Sequence, residues 1–160
     1  MHRRSSFPYY LALAAIVLFT TGLSTVTRGT VYGPYNDVEI VEVKDGDTVA
    51  VKVEVWPNTF IATDVRIRGI DTPETRNGVK SGQRIPECEI ELGKEAKKYA
   101  QYLMLKAKKI TLFNVDPSKT KYAGRISGNL LIDGHTFSDA MVESGHAVEY
   151  SGGKRLIWPC

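Results

Sequence analysis

The chain has 160 residues, 42% hydrophobic and 24% charged, with a formal net charge of +3. That length suffices for one domain with a sizeable core and is too short for two ordinary ones. Three of the 21 basic residues, Arg3, Arg4 and Arg28, fall in the first 29 positions, so the remainder sets 18 basic against 18 acidic residues, which excludes a polyanion binder that works by bulk charge.

His2, Arg3 and Arg4 precede an uncharged run, Ser5 to Thr27, that carries Tyr9, Leu11, Ile16, Val17, Leu18 and Phe19. A basic flank before such a run suits an export signal, and its length, close to the roughly 20 residues that cross a bilayer, equally suits an N-terminal membrane anchor. Thr21, Gly22, Ser24 and Thr25 match a small-x-small cleavage site only in part, so both readings stand, with a buried core helix as the blander third. The expected organisation is residues 1–29 as signal peptide or anchor and residues 30–160 as a single exported domain, secreted, periplasmic or held at the cell envelope. Export would place Cys88 and Cys160 where a disulfide can form. Two free thiols are the alternative, and their spacing is not that of a zinc site.

After a polar, glycine-bearing linker from Arg28 to Asn36, Val38 to Val43 reads as a strand and Asp45 with Gly46 as a turn. Thr48 to Trp56 places Val49, Val51, Val53 and Val55 on one parity and Ala50, Lys52 and Glu54 on the other, the period of a half-buried strand. A third strand, Phe60 to Ile70, follows Pro57 and Asn58. Thr72 to Glu91 is poor in apolar residues and reads as a long loop, a length that in compact domains usually serves function or motion. Leu92 to Lys109 is the clearest helix, with Ala96, Tyr99, Ala100, Leu103, Met104 and Ala107 on one stripe. Ile110 to Val115 and Gly124 to Ile132 are two further strands, and a short helix near Phe137 to Ser144 ends at Gly145, a natural left-handed cap. Three strands, a helix, two strands and a helix predict an α+β fold: a five-stranded OB-type β-barrel with two to three helices, preceded by the N-terminal hydrophobic segment.

Asp47 and Asp71 each stand beside a turn at a strand edge, where carboxylates from separate segments can meet around one hard divalent cation: calcium, or else magnesium or manganese. Taken singly, each motif also has a plain explanation. Asp45 and Gly46 form a common turn pair, and Asp71, Thr72, Pro73, Glu74 suits a capped helix start. Arg66, leading into Asp71, and Arg125, opening a later strand, add planar guanidiniums that match phosphate oxygens; a solvated or ion-paired strand arginine is the ordinary alternative for each.

Asp45, Gly46, Asp47, Thr48, then Arg66, Ile67, Arg68, Gly69, Ile70, Asp71, Thr72, Pro73, Glu74, then Tyr122, Ala123, Gly124, Arg125 closely resemble the staphylococcal nuclease, or thermonuclease, family. The resemblance runs from about Val38 to Tyr150 and includes Gly93, Glu95, Ala96, Val142, Gly145 and Ala147. It implies an OB barrel with helices and calcium-dependent hydrolysis of DNA and RNA to 3′-phosphate products, on single-stranded or locally unpaired substrate, by a monomer. It further implies that Asp47, Asp71 and the Thr72 carbonyl ligate calcium, that Glu74 orients or deprotonates the attacking water, and that Arg66 and Arg125 hold the phosphate. Tyr122 resembles the family tyrosine that contacts the nucleotide, and a plain strand-edge tyrosine is its alternative. The alternative for the whole domain is a nucleic-acid-binding OB module of the same fold with little or no catalysis.

Two departures stand out: Ala123 lengthens the family's Tyr, Gly, Arg turn by one residue, and the loop from Thr75 to Leu92 is longer than in the best-known member. Arg76, Lys80 and Arg84 in that loop either concentrate positive charge locally or are simply solvated. Tyr150 is a further aromatic near the C-terminus. His135 after a turn and His146 after a cap glycine read as surface histidines.

Overall fold

The structure is a computed structural model that describes residues 31–118 and 124–159. The first 30 residues, Tyr122, Ala123 and Cys160 lie outside that range, so the signal or anchor, the nucleotide-contacting tyrosine and the lengthened turn are not described. No helix of the described residues is long and apolar enough to cross a membrane.

Strands β1 (Glu39–Asp45), β2 (Thr48–Trp56) and β3 (Thr59–Ile67) form the expected meander, with Val49, Val51, Val53, Val65 and Ile67 all buried as their alternation requires. The third strand is shorter than expected. It stops at Ile67, and a separate β4 (Gly69–Asp71) turns off at Gly69, whose φ of +85° a residue with a side chain rarely adopts. That break lets β4 leave the main sheet and pair with β10 (Val148–Tyr150) near the C-terminus.

The segment expected to be a loop is more ordered than its composition suggests. It contains a small hairpin, β5 (Val79–Lys80) with β6 (Gln83–Arg84), and the helix α1 (Glu87–Lys106) starts five residues earlier than expected. Pro86 precedes that start and Glu87 and Glu89 occupy the first turn, the favoured chemistry of a helix N-terminus. Ala96, Ala100 and Met104 of α1 are buried, and the helix packs on β1.

β7 (Ile110–Asp116) and β8 (Arg125–Ile132) complete the main sheet in the order β1-β2-β3-β8-β7, with β8 parallel to β3; a short β9 (His135–Thr136) pairs with β8 and leads into α2 (Phe137–Glu143). The linker is also more structured than it reads: the amides of Tyr32, Tyr35 and Val38 donate to Val115, Leu112 and Ile110 along the outer edge of β7. The sheet therefore curls into a half-barrel around one core, with two helices, an α+β arrangement consistent with an OB-type fold. Phe137 and Met141 of α2 are fully buried and Gly145 takes the left-handed conformation expected of it. His135 is exposed, while His146 is half-buried and stacks on Tyr99, ring centroids 4.6 Å apart.

Candidate active site

The β1–β2 turn is held by the Asp45 carboxylate, which accepts the Asp47 amide at 3.1 Å, and by the Asp47 carbonyl, which accepts from Ile67 at 2.8 Å. Asp47 is thus fixed against the end of β3, its side chain fully buried. A Cβ on Gly46 would come within 2.9 Å of the Thr72 side chain, so this glycine lets the two acidic segments touch. The Thr72 amide donates to Asp47 Oδ2 at 3.2 Å and the Thr48 hydroxyl to Oδ1 at 3.2 Å. Arg66, opposite Thr48 in the sheet, donates from Nη1 to Asp47 and from Nη2 to Asp71 Oδ1 at 3.4 Å. Four expected site residues, Asp47, Arg66, Asp71 and Thr72, are thereby gathered at one place, and Arg155 ties Glu74 to Asp71.

Arg125 opens β8 at the register position of Asp64, and Ser127 at that of Arg66. In a parallel pair these share a face, which puts the Arg125 and Arg66 backbones roughly 8 Å apart, one strand over and two residues along. A groove of about 700 Å³ adjoins this face, lined by Arg66, Arg68, Asn114, Asn129 and Tyr150 among others, a volume in the range of ligand sites. Tyr150 lines this groove, and its hydroxyl donates to the Gly153 carbonyl at 2.6 Å.

Three further residues belong to the cluster. Arg155 donates from Nε to Asp71 Oδ1, from Nη1 to Glu74 Oε1 at 2.7 Å, and from Nη2 to the Thr72 carbonyl at 3.5 Å. Lys80 is buried, 2.9 Å from Glu89 Oε1 and 3.4 Å from Asp71 Oδ2. Glu89, fully buried, also accepts the amides of Glu74 at 3.3 Å and Trp158 at 3.0 Å. Of the three loop cations, then, Lys80 is an internal ion-pair partner while Arg76 and Arg84 are exposed. Proline followed by first-turn acids was the available signal for the helix that carries Glu89. Nothing local marks Arg155, which lies 84 positions from Asp71.

The electrostatics follow from burial and these partners. Desolvation pushes the Asp47 carboxyl up to about 7, with Arg66 pulling it down and Asp45 adding to the rise. Burial raises Glu89 too, but the bond from Lys80 and the amides of Trp158 and Glu74 outweigh it and leave its carboxyl below the ordinary range. Burial works against the Arg155 charge, and the carboxylates of Asp71 and Glu74 more than offset it, so its pKa moves upward.

Cys88 is disulfide-bonded, and the only other cysteine of the chain, Cys160, lies outside the described residues. A search of curated proteins found no match to the chain. The family model described as staphylococcal nuclease homologue matches residues 64–155, more than half of the 160-residue sequence, a span that takes in Arg66, Asp71, Thr72, Glu74, Arg125 and Arg155 but begins after Asp47. The chain belongs to the family of staphylococcal nuclease homologues.

Proposed function

We propose that this domain is a calcium-dependent, sugar-nonspecific nuclease that hydrolyses the phosphodiester bonds of DNA and RNA to leave 3′-phosphate ends. The observation that carries the reading is the convergence of Asp47, Asp71, Glu74, the Thr72 carbonyl and Arg66 at one place beside the groove. On this reading β1, β2, β3, β8 and β7 are the five strands of the OB barrel.

The donor set fits a hard divalent cation. Asp71 Oδ1 and the Thr72 carbonyl already converge on one guanidinium, so they share a point a cation can take. Among the described residues no three acidic, imidazole or thiol side chains form a protein-only metal cage. Two carboxylates and a carbonyl, with water filling the remaining positions, are nevertheless adequate for calcium, and magnesium or manganese use the same oxygens. Such a cation, once bound, would supply positive charge beside the scissile phosphate.

The residues of the chain divide the remaining work. Arg66 and Arg125 hold the non-bridging phosphate oxygens, where negative charge builds as water attacks phosphorus in line. Glu74, 31% exposed at its side chain, takes the proton of that water as its oxygen bonds to phosphorus; the bond from phosphorus to the 5′ oxygen breaks, and that oxygen takes a proton from solvent to leave as the 5′-hydroxyl. The sheet face and groove suit single-stranded or locally unpaired strands, whose bases are free to stack on aromatic side chains. The disulfide-bonded Cys88 supports export. The N-terminal segment would tether the domain to a membrane if it is retained, and a monomer suffices for this site.

The test is an assay of the full-length chain on single-stranded DNA and RNA with calcium, magnesium or excess EGTA. Cleavage is expected with calcium and none in EGTA; Arg66→Ala and Arg125→Ala each lower the rate by about a hundredfold or more. Full cleavage in EGTA rejects the calcium dependence. Strand binding without cleavage under any cation makes the domain a recognition module instead.

Gly93 gives a second, steric prediction. A Cβ there would lie 2.2 Å from the Glu74 carbonyl oxygen and 2.8 Å from that of Pro73, both backbone atoms. Gly93→Ala must therefore push the segment that carries Glu74 off α1, and turnover should fall by about a hundredfold, the cost of misplacing a catalytic group by an ångström. Overpacking should destabilise the domain by only about 1–3 kcal/mol. Single-turnover rates alongside urea unfolding separate the two, and an unchanged rate would mean Glu74 is not placed through this contact.

A further inference from the structure

The Arg155 guanidinium contacts Asp71, the Thr72 carbonyl and Glu74 at once, which are two of the three proposed cation ligands and the proposed base. It reaches them from a C-terminal arm pinned on both sides. Ahead of it, Tyr150 pairs with Gly69 at the end of β10. At the residue itself, Ser81 Oγ donates to the Arg155 carbonyl at 2.6 Å. Beyond it, the Trp158 amide donates to Glu89. The side chain is 29% exposed, so solvent and ions reach it.

Resting on the cation-dependent reading above, we propose that Arg155 is a tethered occupant of the cation seat, and that a divalent cation binds by exchange with its guanidinium. A guanidinium and a divalent cation want the same oxygens, and both cannot hold Asp71 Oδ1 and the Thr72 carbonyl in the same geometry. Exchange has a second consequence. The side chain that leaves Asp71 and Thr72 also leaves Glu74, because one rigid fork makes all three bonds. Arrival of the cation therefore uncovers the carboxylate that must accept a proton, and the apo site holds it ion-paired. The arm keeps the freed guanidinium nearby, so the apo state reforms when the cation leaves.

The competition is read directly from manganese and calcium binding to the full-length chain without nucleic acid, by calorimetry and by manganese electron paramagnetic resonance. Wild type is compared with Arg155→Gln, Asp71→Asn and the neighbouring exposed-site control Lys154→Gln. Arg155→Gln is expected to bind manganese roughly tenfold more tightly than wild type, the size of one charge-assisted hydrogen bond no longer broken on binding. Lys154→Gln should stay within about twofold, as a screened surface charge does. Equal or weaker affinity in Arg155→Gln, with binding lost in Asp71→Asn, overturns the competition and leaves the cation site standing. Absence of binding in every protein, Arg155→Gln included, rejects the cation site and the proposal together.

Discussion

Glu74→Gln should reduce cleavage of single-stranded DNA by about a hundredfold to ten-thousandfold, the range over which a positioned general base accelerates proton transfer. The substitution is nearly isosteric, and the amide oxygen still accepts a bond from Arg155, so the apo geometry is retained. What disappears is the negative charge, and with it the capacity to take a proton. The backbone amide of Glu74 remains on Glu89 and the side chain is partly exposed, so the folding penalty is small. The loss should therefore appear in kcat, with substrate affinity little changed, since the arginines that hold the phosphate are intact. A variant that cleaves at the wild-type rate would remove Glu74 from the chemistry and shift the base role to solvent.

Much of the site was legible because its residues sit in locally patterned sequence. The alternation of β2 and β3 fixes which side chains enter the core, and so places Arg66 and Asp64 on the opposite face. The turn at Asp45 and Gly46 and the segment from Asp71 to Glu74 are each readable as short-range motifs. What could not be read is the set of contacts between distant segments. Lys80 looked like one of three loop cations, and only the β5–β6 hairpin buries it against Glu89 while Arg76 and Arg84 stay in solvent. Glu89 read as loop because Glu87 to Glu91 offers no apolar stripe; its role is set by the amides of Glu74 and Trp158, which lie 15 and 69 positions away. Arg155 fell outside any motif for the same reason. Periodicity reports the face of an element, whereas an ion pair across the fold depends on how elements dock.

Glu89→Ala should destabilise the domain by about 3 kcal/mol, the lower end for breaking a buried ion pair, because Lys80 keeps Asp71 as a second partner. The carboxylate is fully buried and satisfies one ammonium and two backbone amides, from the loop that carries Glu74 and from the C-terminal arm. Its removal takes this acceptor from the two amides and leaves Lys80 with Asp71 alone. The pH dependence distinguishes this from a simple cavity. Because the folded-state pKa of Glu89 is lowered, its stabilisation is fully present above the unfolded value and is lost as pH falls through the folded one. Urea unfolding followed from neutral pH into the acid range should show wild type losing its advantage over Glu89→Gln as the carboxylate protonates. A constant difference between the two across that range would mean the carboxylate acts by shape rather than charge.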